Sequence, residues 1–370
     1  MDLAHQRMKT ANSPFALAAS RAIYVDSCIL RGLAQSILSD CLAAVATFDH
    51  AIIIAGASGK QYDLIMLIIR KIQSSLPKAA IFNTGLSYDT RDMHSTPDTS
   101  QDTIPCLNPP SFSAFQSNYS QAPFILRNYA RNWPALDDHP WKSALYLRSV
   151  AGPGRVVPVE IGHDYRLADW KQDLVSWDDF ISTLDFEDQP SSRTNENLLY
   201  MAQHDLTSQF PALRKDIIVP DYVYASLSSK NFATYSPPNN ADQIILNAWL
   251  GPKGTMSPAH IDPYYNCYVQ VVGFKSVWLA PPSMSSSMYP FGNSSNDETN
   301  RLPSSELNNT SKVDVFADPV FLNDYPDFVL RTIPNAMTAT LGPGDMLFFP
   351  PGWWHAMKSN STSFSISIWF

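Results

Sequence analysis

The chain has no run of lysines and arginines, no hydrophobic stretch of bilayer length and no Cys-x-x-Cys pair. Each absence excludes something. Without a basic stripe, and with a formal net charge of −8, direct nucleic-acid binding is not expected. The longest apolar stretches, 51–57 among them, fall well short of the roughly 20 residues a membrane span needs, so no membrane partner is expected. The start, Met1-Asp2, has no basic segment followed by an apolar core, which argues against a secretory signal. Cys28, Cys41, Cys106 and Cys267 are scattered. That spacing speaks against a structural zinc site or a disulfide scaffold and fits a reducing intracellular compartment, nucleus or cytoplasm.

What is present divides by texture. Residues 15–48 carry Ala, Leu and Ile at helical intervals, with Gly32 as a possible break, and 62–76 read as a second amphipathic helix. Together they define a small helical region over 1–85. Residues 52–60, IIIAGASGK, resemble a phosphate loop at first sight. The Walker pattern, however, needs Gly where Ile54 stands and Ser or Thr where Gln61 stands. A helix–turn–helix connection is the expected structure there. Residues 86–121 are dominated by Ser, Thr, Asp, Asn and Pro and read as a polar linker. From 122 onwards the pattern predicts a strand over 123–127, a helix over 133–147, a strand over 156–161 and a helix over 176–184 capped by Ser176. A second Ser/Asn-rich stretch, 283–310, reads as a mobile insertion between strands.

The chemistry concentrates in the C-terminal half. In extended backbone, residues i and i+2 share a face, so His260 and Asp262 can bind one ion together. His355, far downstream, would return from another strand. Two imidazoles and a carboxylate on one face of a metal leave positions open for other molecules, as in non-haem Fe(II) oxygenases. Zinc accepts the same donors, so the triad alone leaves the metal open. Around it lie short β-rich runs: 243–250, then 266–272 and 275–279 separated by Gly273-Phe274, which reads as a hairpin. In the last run, Phe364, Ile366, Ile368 and Phe370 share one face, and Ser363, Ser365, Ser367 and Trp369 the other. Small residues on one face suit a cavity wall. The whole predicts a small antiparallel barrel or jelly roll. His163-Asp164 and His204-Asp205 are expected to be satisfied surface or core pairs. By pattern alone Lys275 would be an exposed edge lysine, Asn266 a turn residue, Ser257 a cap, and Trp353 and Trp354 packing aromatics.

Residues 247–252 (NAWLGP), 257–263 (SPAHIDP), Lys275 and 344–355 (GDMLFFPPGWWH) together resemble a JmjC domain, a double-stranded β-helix of the cupin (jelly-roll) type. Residues 157–162 (VPVEIG), 200–204 (YMAQH) and 218–222 (IVPDY) narrow the resemblance to the lysine-specific demethylase 8 subfamily. The resemblance covers about 122–370, with a barrel core over about 198–370. It implies that His260, Asp262 and His355 hold Fe(II). It also implies that Lys275 takes the distal carboxylate of 2-oxoglutarate with help from Tyr200, Ser257 and Asn266, and that Trp249 and Trp369 wall the pocket. The implied activity is an O₂-consuming oxidation of a protein side chain, with release of succinate and CO₂. That oxidation is either arginyl or lysyl hydroxylation or histone N-methyl-lysine demethylation. Histone, ribosomal or other chromatin-associated proteins are the implied partners. No cysteine-rich finger or other chromatin-reader motif is present, which inclines the reading towards hydroxylation. The competing readings are a catalytically silent cupin-type chromatin scaffold and a zinc hydrolase, the latter lacking a recognisable acid/base partner.

Overall fold

In the computed structural model, the described residues are 1–77, 102–167, 169–191, 198–227, 232, 235–293 and 307–370. They include twelve strands: β1 (Phe124–Leu126), β2 (Val156–Ile161), β3 (Lys171–Ser176), β4 (Leu199–His204), β5 (Ile245–Gly251), β6 (Met256–Ile261), β7 (Asn266–Val272), β8 (Lys275–Ala280), β9 (Met337–Leu341), β10 (Met346–Phe349), β11 (Trp354–Ser359) and β12 (Ser363–Trp369). Eight form one sheet in the order β1-β10-β7-β12-β5-β4-β2-β3, and four form another, β6-β11-β8-β9. Antiparallel neighbours in two sheets enclosing one interior make a jelly roll, the mainly β class expected.

The alternation in β12 is used in an instructive way. Phe364, Ile366, Ile368 and Phe370 join Cys267, Val269 and Val271 of β7 in a cluster with Trp141, Trp177, Phe180 and Leu147. The greasy face of the large sheet therefore points outwards, onto the segment that precedes the barrel. Phe364 and Trp141 have ring centroids 4.5 Å apart, and truncating either would cost about 3–5 kcal/mol. The serine face turns inwards. There Ser365 donates to Gln270 Oε1 at 2.6 Å, and Ser367 lines the interior cleft.

Several connections depart from expectation. β7 and β8 do not pair as a hairpin. β7 bonds to β10 and β12 in the large sheet, while β8 bonds to β11 and β9 in the small one. Gly273-Phe274 thus carries the chain from one sheet to the other. Gly273 has φ of 69°, and a Cβ there would stand 1.9 Å from the Thr362 carbonyl oxygen, so only glycine fits. The helix expected over 133–147 is instead a 3₁₀ turn, Pro134–Leu136, followed by a helix at Ala144–Ala151, because Pro140 removes an amide in between.

The expected linker, 86–121, falls outside the described residues up to 101. Beyond that it is built onto the barrel. Ile104 and Phe115 are buried, Cys106 bridges to Ile125, and Asp102 pairs with Arg127, which also holds Asp345. Of the expected mobile insertion, 294–306 lies outside the described residues. Its flanks are fixed: Pro282–Ser287 forms a 3₁₀ turn, and Ile261 donates to the Asn309 carbonyl at 3.0 Å.

The N-terminal region forms helices α1 (Asp2–Lys9), α2 (Pro14–Ile37), α3 (Cys41–Ala55) and α4 (Gly59–Ser75). The break expected at Gly32 lies instead after Ile37. Gly32 serves packing: a Cβ there would lie 2.5 Å from the Phe48 ring. Gly56, with φ of 65°, ends α3 in the left-handed conformation, and the phosphate-loop lookalike is a helix–turn–helix connection. Among the described residues no helix is long and apolar enough to cross a membrane.

Candidate active site

β6 and β11 lie side by side in the small sheet, and their register sets His260 opposite His355. Asp262 follows β6 directly. His355 Nε2 is 3.3 Å from Asp262 Oδ2, and His260 Nε2 is 3.8 Å from Oδ1. One donor atom from each of the three residues lies within 4.8 Å of the others, the separation at which a single ion is held.

Both imidazoles are preset for this task. His260 Nδ1 lies 2.8 Å from the Pro258 carbonyl oxygen and His355 Nδ1 3.0 Å from that of Trp353. A carbonyl only accepts, so each Nδ1 carries the proton and donates, leaving both Nε2 lone pairs free towards Asp262. Burial, and then the charge of His355, pull the pKa of His260 down to about 4. Burial alone would raise Asp262, but His355 and His260 outweigh it and hold the carboxyl below its usual range. Near neutral pH His260 therefore offers a lone pair and Asp262 a carboxylate.

The cleft beside the triad is lined by Trp249, Ser257, Asn266, Tyr268, Phe349 and Ser367, contributed by both sheets. Lys275, the first residue of β8, is 1% exposed. Its ammonium donates to the Tyr268 hydroxyl at 3.0 Å and to that of Tyr200 at 3.4 Å, and the Tyr200 hydroxyl is 3.5 Å from Ser257 Oγ. Among the described residues no carboxylate pairs with it, and burial draws its pKa down to about 7. A buried cation with two neutral partners is an unfinished arrangement. Asn266 Oδ1 and Trp369 Nε1 are also buried without a hydrogen-bond partner among the described residues. The Lys275 ammonium and the Trp369 indole N–H are donors suited to a small anion between the sheets, while Asn266 Oδ1 calls for a donor.

Lys275, Ser257 and Asn266 are thus neither edge, cap nor turn residues. Ser257 sits within β6, Asn266 opens β7, and all three are buried. Trp249 Nε1 donates to Ser367 at 3.2 Å, and Trp369 packs against Tyr264 in a tilted arrangement, ring centroids 5.4 Å apart. Trp353 and Trp354 are packing residues on either side of the small sheet. The remaining His-Asp pairs are structural: Asp164 holds Arg166, His204 pairs with Gln209, and Asp205 caps the turn at Ser208.

A wider chamber opens outwards from His260 and Asp262, with Glu160, Tyr165, Gln203, Tyr264, Asn309 and Thr310 in its wall. Glu160, on β2, has a carboxyl raised to about 7, chiefly by burial.

The cupin-like domain family matches residues 112–370. The chain belongs to this family, among its JmjC members. It is 38% identical over 274 residues to Jumonji C domain-containing protein 5 of Drosophila melanogaster, a match covering 74% of this chain and 61% of that protein. It is 32% identical over 367 residues to lysine-specific demethylase 8 of Danio rerio, covering 95% and 80%. To the Xenopus tropicalis protein of the same name it is 35% identical over 273 residues, covering 73% and 53%. The chain thus spans between about half and four fifths of the length of these relatives.

Sequence reasoning missed Tyr268 and Glu160 in this JmjC site. Tyr268 had a signal: it shares the inward face of β7 with Asn266, two residues away. Glu160 lay inside a quoted motif with nothing local to mark its direction.

Proposed function

We propose that the protein is an Fe(II)- and 2-oxoglutarate-dependent dioxygenase that oxidises a basic side chain of a protein. The observation that carries this reading is Lys275, a buried ammonium with no counter-ion among the described residues, one tyrosine away from a His-Asp-His cluster. A hydrolase needs no such cation, and a scaffold would not keep it. His260, Asp262 and His355 would hold the iron. When bound, iron and 2-oxoglutarate supply the oxidation of a C–H bond by O₂, with succinate and CO₂ as products.

The chain's own residues do the rest. Lys275, with the hydroxyls of Tyr200 and Tyr268, would neutralise and orient the distal carboxylate. Ser257 and Asn266 offer further polar contacts, and Trp249 and Trp369 exclude water from the walls. Glu160 in the outer chamber suits a guanidinium or ammonium entering from the mouth, which favours an arginine or lysine target. Hydroxylation and N-demethylation share the machinery and differ in which carbon lies over the metal. A histone, ribosomal or chromatin-associated target would place the enzyme in the nucleus or cytoplasm.

Anaerobic titration of Fe(II) and 2-oxoglutarate tests this. A visible charge-transfer band should form in the wild type and be lost in His260→Ala, together with succinate production. Turnover that persists in His260→Ala would overturn the assignment.

A further inference from the structure

The helical region meets the barrel at a buried polar junction. Asp49, on α3, is 0% exposed. Its carboxylate accepts from Arg155 Nε at 2.9 Å, from Nη2 at 2.7 Å and from the Val156 amide at 2.9 Å. Arg155 Nη2 also donates to the Gln209 carbonyl at 2.9 Å. The Gln209 side chain continues the path: Nε2 donates to the Val156 carbonyl at 2.6 Å, and Oε1 pairs with His204 Nε2 at 2.7 Å. Four elements are joined: α3, the head of β2, the turn Leu206–Gln209 and the tail of β4.

From that junction β2 and β4 run on to the active site. They pair directly only at their far ends, Glu160 opposite Tyr200 and Ile161 opposite Leu199. β4 is also irregular against β5, with a bulge between Met201 and His204 where Gln203 has φ of 49°. β2 pairs with β3 along its whole length and His204 returns to the ladder opposite Ala248 of β5, but near His204 no ladder joins β2 to β4, and there the Asp49–Arg155–Gln209 path spans the gap between them. Glu160 stands five residues from Arg155, roughly 16 Å along the strand.

We propose that Asp49 is a positioning residue for the active site. By gripping Arg155 and Val156, and through Gln209 the tail of β4, the helical region sets the lie of two strands. It thereby places Glu160 in the substrate chamber and the Tyr200 hydroxyl against Lys275. The proposal rests on the reading of Tyr200 as a co-substrate contact. A bundle that merely added stability would leave ligand affinity untouched once the chain was folded.

The full chain is compared as wild type, Asp49→Asn, Gln209→Met and Tyr62→Phe. The last removes a docking hydrogen bond, from the Tyr62 hydroxyl to the Ser208 carbonyl at 2.8 Å, that reaches the same turn but involves none of Asp49, Arg155, Gln209 and His204. Metal and 2-oxoglutarate affinities are read by anaerobic Fe(II) titration, and amide exchange is followed by mass spectrometry. Asp49→Asn should weaken 2-oxoglutarate binding five- to tenfold and leave metal affinity within twofold. Exchange should quicken over 157–161 and 199–204. Gln209→Met should move both readouts in the same direction with the Asp49–Arg155 pair intact, and it decides the matter if Asp49→Asn does not fold. Tyr62→Phe should change neither. Folded variants of the path with 2-oxoglutarate affinity within twofold of wild type overturn the proposal. If the wild type binds no 2-oxoglutarate, the reading of the pocket falls, and exchange alone decides. Faster exchange over those two segments in Gln209→Met then supports positioning, and unchanged exchange overturns it.

Discussion

His260 and His355 face each other across two antiparallel strands, ring centroids 4.2 Å apart, each with its Nδ1 proton held by the carbonyl two residues before it. The backbone therefore fixes both tautomers before any metal arrives. Replacing either histidine by alanine should lower Co(II) or Fe(II) affinity by about 100-fold or more, since even outer partners of ligating histidines are worth about 10–100-fold. The visible spectrum of a Co(II) titration reads this directly. In the wild type, free metal at about 100 times Kd should add roughly 2.7 kcal/mol of stability. That raises Tm by roughly 3–5 °C for a chain of this length. A variant lacking His355 that keeps the full thermal shift would place the metal elsewhere.

Lys275 carries the opposite trade. Its ammonium is buried with two hydroxyls as its partners among the described residues, so the protein without ligand holds a cation it would fold better without. Lys275→Met fills the same space and should leave the unliganded protein as stable or more stable. The same change should weaken 2-oxoglutarate binding at least about tenfold, a loss of about 1.4 kcal/mol or more, with metal affinity unchanged. Thermal denaturation and the anaerobic titration measure the two effects separately. Equal losses of metal and co-substrate would remove Lys275 from the pocket.

The same lysine makes binding depend on pH. Burial draws its pKa to about 7, whereas an unfolded lysine titrates near about 10.4. Between these values the unfolded chain binds a proton that the folded, unliganded chain does not. Stability without ligand should therefore rise with pH across that window. Co-substrate binding has the reverse sign. A bound carboxylate favours the ammonium, so above pH 7 binding must take up a proton, and affinity should fall as pH rises towards 9. Calorimetry at pH 8.5 in two buffers of different ionisation heat counts that proton. Zero uptake in the wild type, or equal uptake in Lys275→Met, would exclude Lys275 as its source.

The convergence of His260, Asp262 and His355 was legible because they sit in two short segments, 260–262 and 353–355, whose local chemistry marks them. The jelly roll followed from short strands, Gly/Pro turns and the unbroken alternation of β12. Other features were hidden for definite reasons. A Gly-X pair between two β-rich runs serves a hairpin and a sheet crossing alike, and only the carbonyl of Thr362 against Gly273 decides between them. Residues 102–121 look like a linker because their anchors are few: Asp102, Ile104 and Phe115 tie down an otherwise polar stretch. Glu160, Gln203 and Asn309 reach the outer chamber from three separate segments, a meeting that no local pattern encodes. Asp49 is one acid in an apolar helix, and its partner lies 106 residues away.

Glu160 offers the sharpest test of what enters the chamber. It shares a wall with His260 and Asp262, and burial raises its carboxyl to about 7, so it is only partly ionised at neutral pH when nothing cationic is near. An arginine or lysine side chain beside it would restore the charge and gain a charge-assisted hydrogen bond. Glu160→Gln keeps the shape and removes that gain. Against a panel of arginine- and lysine-containing peptides, KM should rise about tenfold or more. Succinate formed in the absence of peptide should stay within about twofold of wild type, because Glu160 is no part of the metal or Lys275 sites. Neutral peptides should not discriminate between the two proteins. A Glu160→Gln enzyme that turns over basic peptides with unchanged KM would show that the side chain recognised at the mouth is not a cation.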